Sequence, residues 1–480
     1  MRGRLARIRI PHVFALLTGV VFCCSVLTWI VPSGEFERER RLVGTSERTM
    51  VVAGTYETIP KHRSARGLIF TETVEGTASP VGLDEFLSAI PRGMIAASDI
   101  IFFIFIIGGV FGVLQRTGTI PAVLHAVLDK LRQRWMMLTI VLMVLMGIGG
   151  STLGMGEEFI PLVPIFLIVA REIRCDRIYG TALVYVAGAV GFAAATTNPF
   201  TVNIAQSIAG LPLNSAIGFR LAFFVCCMAV TLAYMLRYGA RIRRDPSSSY
   251  VADLDFDVDE DVEPPRLTRA HVVIVVACIA IFVFILWAVQ ARGWWLPEMA
   301  GGFILMGLVA IFVARMPMAE ATRAVVTGME EMTVAALIVG FARAVTVVME
   351  DGLILDTLIQ SASVVLLHVP RLVAAEGMLV FQATLNFFIP SGSGQAAVTM
   401  PLMAPLADVL GLTRQTAVFA FTCGDGFSNM VIPTSGILMA SLGLAGVPYE
   451  RWLRFMVPLL LQLIAVAAVF MAVAVVVGLE

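Results

Sequence analysis

Two glycine- and serine-rich interruptions inside long apolar runs constrain this chain more than any other feature. The first is Gly-Ser-Thr-Leu-Gly-Met-Gly-Glu-Glu-Phe-Ile-Pro at 150–161, and the second is Pro-Ser-Gly-Ser-Gly-Gln-Ala-Ala-Val-Thr-Met-Pro at 390–401. Each is followed, after a basic turn and another apolar run, by a polar break, at 196–201 in one case and at 432–436 in the other. Short apolar segments broken by Gly and Pro at corresponding places in two halves indicate a binding site between structural repeats.

The composition is that of a membrane protein. The chain has 480 residues, of which 58% are hydrophobic and 14% are charged, whereas about 25% of the residues of a soluble domain are charged. We therefore expect a polytopic protein whose partners are the lipid bilayer and a small molecule, with no nucleic-acid partner. The sequence has no phosphate-binding glycine loop with its lysine and no histidine pair at zinc-ligand spacing, so we expect neither a cofactor nor ATP hydrolysis by this chain.

Apolar runs of about 20 residues predict the spans. The predicted spans are 13–31, 94–114, 178–209, 216–236, 272–290, 299–314, 333–349, 416–444 and 455–477. Arginines at positions 2, 4, 7 and 9 place the N-terminus in the cytoplasm, and nine crossings then place the C-terminus outside. A cleaved signal peptide is the alternative for the first run, but the run is long and lacks a small-x-small cleavage site.

Two polar segments follow from this topology. Residues 32–92 are rich in Thr, Glu and Arg and are expected outside the membrane, with short strands near 49–53. Residues 237–269 begin basic and turn acidic, and they predict a flexible cytoplasmic linker between the halves 1–236 and 270–480.

The apolar stretch 135–171 is too short on either side of its break at 150–156 to cross the membrane twice. Arginines flank both of its ends, which places both ends in the cytoplasm and predicts a re-entrant helical hairpin. A second hairpin is predicted at 372–410, and amphipathic pieces at 119–131 and 353–367 precede the two hairpins. The spans 178–209 and 416–444 are predicted to be broken helices.

The two halves align as a repeat. Ser151 and Ser391 are 240 positions apart, as are Pro161 and Pro401, and Pro199 and Pro433 are 234 positions apart. The span 272–290 has no counterpart in the first half, so the second unit starts from the opposite side of the membrane and the repeat is inverted. The predicted fold is an all-α polytopic membrane protein with an inverted repeat, two re-entrant helical hairpins and two broken transmembrane helices.

Polar groups at the interruptions are the candidate binding residues. A helix broken inside the membrane exposes amides that favour carboxylates and carbonyls that favour sodium or an ammonium group. The candidates for solute or ion binding are Ser151, Thr152, Glu157, Glu158, Thr197, Asn198, Thr201, Asn203, Ser391, Ser393, Gln395, Asp425, Asn429, Thr434 and Ser435.

The charged residues within apolar runs discriminate between solutes. Buried carboxylates at Glu157, Glu158 and Asp425 would suit an ammonium group, a guanidinium group or a coupling cation, with a structural ion pair as the alternative. Arg343 lies in the middle of its span, and we expect it to pair with Asp99 or Glu350, with carboxylate binding as the alternative.

Several of these motifs resemble one family over nearly the whole chain. They are Glu-Glu-Phe-Ile-Pro at 157–161, Asn-Pro-Phe-Thr-Val at 198–202, Pro-Ser-Gly-Ser-Gly-Gln at 390–395 and Gly-Asp-Gly-Phe at 424–427. The chain resembles the YfcC/DcuC-like family, the C4-dicarboxylate anaerobic carriers of the ion transporter superfamily. The resemblance implies a mobile transport domain, a dimerising scaffold and elevator-type movement. Both tips depart from the superfamily's Ser-Asn-Thr pattern, so the ligands of a sodium ion at the hairpin tips are left open.

These features together predict a secondary active transporter, and not an enzyme, in the inner membrane of the cell. Its solute is a small carboxylated molecule, and its coupling is to sodium, protons or counter-exchange. The acidic residues favour a basic amino acid, carried by antiport or symport, and the family name favours a C4-dicarboxylate such as succinate or fumarate. A channel and an intramembrane enzyme are the remaining alternatives. A matching second aspartate for proteolysis is missing, and two opposed hairpins argue against a channel.

Overall fold

The computed structural model describes residues 13–43, 46–131, 134–254 and 267–480. The N-terminal arginines at positions 2–9, Arg132 and the acidic part of the linker at 255–266 lie outside the described residues. The helices of the first half are α1 Val13–Ile30, α2 Leu83–Ala96, α3 Ser98–Arg116, α4 Thr119–Leu131, α5 Trp135–Ile148, α6 Val163–Glu172, α7 Arg177–Ala193, α8 Val202–Ile208 and α9 Ile217–Arg244. Those of the second half are α10 Arg269–Arg292, α11 Leu296–Ala314, α12 Met318–Glu331, α13 Thr333–Asp351, α14 Leu355–Leu366, α15 Arg371–Asn386, α16 Gly392–Val409, α17 Arg414–Ser428, α18 Gly436–Ala445 and α19 Tyr449–Val477.

Eight helices in the described part of the chain are long and apolar enough to cross a membrane. Seven of them coincide with predicted spans, and the eighth is Trp135–Leu153, the first arm of the predicted first hairpin. The predicted spans 178–209 and 416–444 are each two shorter helices separated by an irregular stretch. Large apolar side chains on α10 and α11, including Val276 and Phe312, are exposed, which suits contact with lipid.

The two halves have the same order of elements once α10 is set aside. Helices α1 to α9, with the irregular stretches between them, correspond in order to α11 to α19. The contacts exchange in the same way: α2 packs against α13 while α12 packs against α3, and α1 packs against α13 while α11 packs against α3. This exchange of partners is the pattern of two units related by a two-fold axis.

The arms of each interrupted segment pack around the helix that follows them. Helices α5 and α6 both contact α7, and α15 and α16 both contact α17. Helices α7 and α17 also contact each other, so the four interruptions meet in the middle of one bundle. This bundle, made of α5 to α9 and α15 to α19, is called the tip bundle below.

Helices α1 to α3 and α10 to α13 form a second group. In this group, called the frame below, α1 to α3 pack against α11 to α13, and α10 packs on α11. Glycines let its helix axes approach closely: a Cβ placed on Gly328 of α12 would lie 2.2 Å from the carbonyl oxygen of Gly108 in α3. A Cβ on Gly93 of α2 would lie 2.6 Å from the carbonyl oxygen of Gly340 in α13. Small residues at such crossings are the usual means by which membrane helices associate.

Several predicted boundaries are wrong. The first arm does not break at Gly150, because residues Gly149–Leu153 continue α5 as one π-helical turn, and the chain turns only at Gly154. The polar segment 32–92 ends earlier, since α2 begins at Leu83, and α12 is absent from the prediction because its acidic residues obscure its apolar face. The linker also starts later than 237, since α9 continues to Arg244. Residues 249–251 beyond it are packed, with Ser249 Oγ donating to Asp176 Oδ2 at 2.6 Å and Val251 buried.

The polar segment after α1 forms two small sheets. Strand β1 Ser33–Glu35 pairs antiparallel with β4 Glu57–Ile59, and β2 Arg38–Val43 pairs antiparallel with β3 Ser46–Val51. The buried carboxylate of Asp356 in α14 joins this segment to the helices, since it accepts from Phe36 N at 3.0 Å and from Arg38 Nη2 at 2.8 Å. Ser33 Oγ donates to the carbonyl oxygen of Gly352 at 2.7 Å beside it.

We expect Asp356→Asn to loosen this segment from the helices. The loss of a charged acceptor for a buried amide and a guanidinium costs about 1–3 kcal/mol. Limited proteolysis should therefore cleave residues 33–59 faster, and the midpoint of thermal unfolding should fall. Glu39→Gln is the matched control, because it removes only an exposed ion pair with Arg41, which contributes about 0–1 kcal/mol. Equal protease resistance in the two variants would contradict the assignment.

Candidate functional site

A cavity of about 320 Å³ lies where the interruptions meet. Its volume is at the lower end of the range of about 300–1,000 Å³ for small-molecule sites. Its wall includes residues 154–159 of the first tip, 390–393 of the second tip, and Gly426, Asn429 and 434–437 around the break between α17 and α18. The frame contributes residues of α2, α3, α11 and α13. The cavity therefore lies between the tip bundle and the frame.

The first tip is bonded to the break that follows α7. Ser151 is buried, its carbonyl oxygen accepts from Thr196 N at 3.0 Å, and its hydroxyl donates to Ala194 O at 3.2 Å. Thr197 Oγ1 donates to the carbonyl oxygen of Thr152 at 3.2 Å. Gly154 follows with φ +68°, and a Cβ there would lie 2.3 Å from Asn198 Oδ1. Only glycine suits this position, because it must accept both a left-handed backbone and contact with a side chain.

The second tip presents the start of a helix to the cavity. Ser391 caps α16 by accepting from Gly394 N at 3.3 Å. The amides of Gly392 and Ser393, both in the cavity wall, have no hydrogen-bond acceptor among the described residues. A helix N-terminus with open amides favours a negatively charged group.

The break between α17 and α18 is held by donors on neighbouring helices. Asn386 Nδ2 donates to Asp425 O and to Ser428 Oγ, both at 2.8 Å. Tyr185 Oη donates to Asn429 O at 2.8 Å, and Trp452 Nε1 donates to Met430 O at 2.9 Å. The carbonyls at the end of α17 are thus satisfied by the protein.

The start of α18 is open by contrast. Ser435 caps α18 by accepting from Leu438 N at 3.4 Å, but the amides of Gly436 and Ile437 have no acceptor among the described residues. Thr434 is fully buried, and its hydroxyl has no hydrogen-bond partner. Thr434, Ser435, Gly436 and Ile437 all lie in the cavity wall.

The cavity wall carries charges of both signs. Glu157 and Glu158 lie in it as the first residues of the 3-10 helix Glu157–Leu162, and Glu158 Oε2 accepts from Gly156 N at 2.8 Å. Arg343 of α13 lies in the same wall. The predicted ion pair of Arg343 with Asp99 or Glu350 does not form as a direct contact, since among the described residues its guanidinium has no carboxylate within 4.0 Å. Glu350 is nevertheless near enough to interact with this guanidinium electrostatically.

A second polar cluster is closed off from the cavity behind the second tip. Asp425 is fully buried, and neither of its carboxylate oxygens has a hydrogen-bond partner among the described residues. Thr201 Oγ1 and Asn198 Nδ2 are also buried without partners. A Cβ placed on Gly392 would lie 2.7 Å from Thr201 Cγ2 and 3.2 Å from Asp425 Oδ2, so the tip backbone separates the cavity from this cluster. Within the described chain, no group of three or more His, Cys, Asp or Glu residues could hold a metal ion.

The predicted site residues thus fall into two sets. The cavity wall includes Glu157, Glu158, Ser391, Ser393, Asn429, Thr434 and Ser435. It does not include Ser151, Thr152, Thr197, Asn198, Thr201, Asn203, Gln395 and Asp425. Gln395 lies deeper, where its Nε2 donates to Gln382 Oε1 at 2.6 Å, and Asn203 carries a buried Oδ1 without a partner. Arg343 also lies in the wall. The sequence analysis expects it in an ion pair and offers carboxylate binding only as the alternative, although an arginine in the middle of an apolar helix is a signal of function.

The model of the C4-dicarboxylate anaerobic carrier family, DcuC, matches residues 10–476 of this chain. The chain belongs to the DcuC family. This match confirms the resemblance seen in the sequence motifs. The protein is a multi-pass membrane transporter that belongs to a family of carriers.

Two curated relatives span nearly the same length. An uncharacterized protein of Haemophilus influenzae is 30% identical over 497 residues, covering 96% of each chain. A protein of Escherichia coli with the name "Putative basic amino acid antiporter YfcC" is 33% identical over 469 residues, covering 92% of each chain.

Two solved structures are similar at lower levels. The YdaH transporter of Alcanivorax borkumensis matches with a TM-score of 0.45 at 15% identity, covering 98% of this chain and 99% of that chain. MtrF of Neisseria gonorrhoeae, from a class of antimetabolite efflux pumps, matches with a TM-score of 0.42 at 15% identity, covering 98% of this chain and 96% of that chain.

We expect Gly154→Ala to separate the first tip from the break after α7. The added methyl group would overlap Asn198 Oδ1, and a left-handed alanine costs about 1–2 kcal/mol on its own. Solute transport should fall at least tenfold, and the midpoint of thermal unfolding should drop. Gly478→Ala is the matched control, because Gly478 has φ +66° but nothing within 4 Å of its added Cβ. If the two variants lost the same stability and activity, backbone strain alone would explain the result.

Proposed function

We propose that the protein is a secondary active transporter that moves a basic amino acid across the inner membrane by antiport or symport. The observation that carries this proposal is the pair of carboxylates, Glu157 and Glu158, in the wall of a cavity formed by both tips. Neither carboxylate has an arginine or lysine partner within 4.0 Å among the described residues. Carboxylates held this way at membrane depth favour a cationic occupant, and the name of the Escherichia coli relative supports the same solute class.

A C4-dicarboxylate is the second candidate solute. The family description supports it, and so do the open amides at the starts of α16 and α18 and the presence of Arg343 in the wall. A dicarboxylate in this cavity would need Glu157 and Glu158 to be protonated or displaced, because like charges repel at short range. We therefore favour the basic amino acid.

For the transport cycle we propose elevator-type movement of the tip bundle against the frame. Three features support this division. Both tips and both breaks belong to the tip bundle, the frame helices pack closely through glycines, and the cavity lies between the two groups. We further propose two re-entrant hairpins of opposite orientation, a cytoplasmic N-terminus, an extracytoplasmic C-terminus and a homodimer that assembles through the frame. The alternatives of a channel and of an intramembrane enzyme agree less well with membership of a carrier family.

For coupling, we propose that Asp425 is neutralised by a proton or a sodium ion in the transporting states. A fully buried carboxylate with two unpartnered oxygens is costly unless it binds a cation or a proton. The adjacent Thr201 hydroxyl, also unpartnered, could complete such a site. Because the backbone of Gly392 abuts the carboxylate, movement of the second tip would open or close access to Asp425.

Proteoliposomes loaded with unlabelled solute provide the test of the substrate class. We expect saturable uptake of labelled arginine or ornithine, with little uptake of succinate or fumarate. Glu157→Gln and Glu158→Gln should each raise the KM for arginine at least tenfold, which corresponds to about 1.4 kcal/mol, because the cationic end of the solute loses its counter-charge.

Glu376→Gln is the control for this experiment. Glu376 is a partly buried carboxyl of α15 that does not line the cavity. The KM of the Glu376→Gln variant for arginine should therefore stay at the wild-type value. Uptake of succinate without uptake of any basic amino acid would refute the proposed solute.

Asp425→Asn tests the coupling. The amide cannot take up a charge, so we expect accumulation driven by a sodium or proton gradient to fall at least tenfold while solute counterflow without a gradient persists. Imposing each gradient separately on the wild-type protein identifies the coupling ion. Asp408→Asn, which removes an exposed ion pair with Arg414, serves as the control. Unchanged gradient dependence in Asp425→Asn would exclude Asp425 from coupling.

A further inference from the structure

The geometry points to Arg343 as the residue that binds the carboxylate of the transported solute, together with the open amides of α18 and α16. This inference rests on the proposed function and deepens it, since it assigns the second charged end of the solute to a residue of the frame.

The position of Arg343 is set by a close contact between the frame and the tip bundle. Helix α13 packs against α18, and a Cβ placed on Gly436 would lie 3.2 Å from Val339 Cα. Arg343 is one helical turn beyond Val339, so both residues lie on the same face of α13. Val339, Arg343 and Gly436 all belong to the cavity wall. The guanidinium therefore lines the cavity on the side where α18 begins.

The groups around Arg343 have unused capacity for an anion. Its guanidinium has no ion pair or hydrogen bond among the described residues. The hydroxyl of Thr434 is fully buried and unpartnered in the same wall. The amides of Gly436 and Ile437 at the start of α18 lack acceptors as well. A buried donor without a partner costs about 1–3 kcal/mol, so these groups together favour an occupant that accepts hydrogen bonds.

A carboxylate is the chemical group that fits this set of donors. An arginine offers a planar fork that binds both oxygens of a carboxylate at once. The dipoles of α18 and α16, whose first residues both line the cavity, favour the same negative charge. One carboxylate of the solute is thus held by donors from two sides.

The separation of charges selects a zwitterion. Glu157 and Glu158 lie in the same wall but farther than 4.0 Å from the guanidinium, since no ion pair forms between them. An amino acid with a cationic side chain can place its carboxylate at Arg343 and a positive group at the glutamates. A diamine that lacks the carboxylate can use only the glutamates.

With this assignment, one end of the solute binds to the frame and the other end binds to the tip bundle. Arg343 belongs to α13 of the frame, whereas the glutamates and the open amides belong to the tip bundle. The solute therefore bridges the seam between the two groups, and the carboxylate must leave Arg343 before the tip bundle can slide past α13.

The test compares arginine with agmatine, which is arginine without its carboxylate, as competitors of labelled arginine counterflow in proteoliposomes. For the wild-type protein we expect agmatine to compete at least tenfold more weakly than arginine. Arg343→Gln should weaken competition by arginine at least tenfold and leave competition by agmatine unchanged, so the difference between the two competitors disappears. Arg323→Gln, an exposed arginine of α12 outside the cavity, should behave like the wild type.

Other outcomes overturn the inference. An equal loss for arginine and agmatine in Arg343→Gln would mean that Arg343 only balances the charge of the glutamates or supports the fold. No loss for either competitor would mean that the guanidinium does not touch the solute. If Arg343→Gln does not fold, Arg343→Lys is measured in its place, because it keeps the charge and removes the planar fork. A loss specific to arginine in that variant supports the inference, and unchanged competition refutes it.

The same experiment separates failure of the inference from failure of the proposed solute. If the wild-type protein transports succinate and no basic amino acid, the proposed solute is wrong. Loss of succinate binding in Arg343→Gln but not in Arg323→Gln would then still support a carboxylate subsite at Arg343, and retention of succinate binding would refute it.

Discussion

The structure depends on how it satisfies the backbone groups that four interruptions expose inside an apolar body. In a membrane, an amide or carbonyl group that lacks a protein partner has no water molecule with which to form a hydrogen bond instead. The first tip satisfies its backbone by hydrogen bonds to the break after α7. Ser151 accepts from Thr196 N and donates to the carbonyl oxygen of Ala194. The carbonyl groups at the end of α17 accept hydrogen bonds from the side chains of Asn386, Tyr185 and Trp452 on other helices. Among the described residues, the amides left without an acceptor include the first ones of α16 and α18, whose residues line the cavity.

The same division separates the polar residues that are available for binding from those that hold the fold. Ser151 and Thr197 look like ligands by residue type, yet their hydroxyls are used in bonds between the tip and the break. Thr434, Thr201 and Asp425 keep unpartnered polar atoms in buried positions. Burial of unpaired polar atoms is expensive, so these positions indicate function more strongly than the hydroxyls that are already paired. The chain thus keeps one open polar set in the cavity and one closed set behind Gly392.

Much of this arrangement could be predicted from the sequence because apolar length and Gly/Pro interruptions are local signals. The four interruptions, the unmatched helix α10 and the correspondence between halves all follow from such signals. The break of the first arm was placed too early, because glycines at 149 and 150 mark helix packing there: a Cβ on Gly150 would lie 2.2 Å from the carbonyl oxygen of Gly188. Helix α12 was missed because its charged residues fall among its apolar ones. The sequence marks Arg343 as an arginine inside an apolar helix, but its place in the cavity wall could not be predicted, because it depends on the packing of α13 against α18, which no local pattern encodes.

The glycine contacts in the frame have a mechanical consequence. The backbones of α3 and α12 touch at Gly108 and Gly328, and those of α2 and α13 touch at Gly93 and Gly340. Little at these contacts can move to absorb a displacement, because backbone meets backbone and only the side chains of Met332 and Met94 lie beside them. A helix pair in such close backbone contact resists both sliding and rotation, so it behaves as a rigid unit. In the movement proposed above, a displacement of the tip bundle would then be taken up where α13 meets α18, at the contact between Val339 and Gly436.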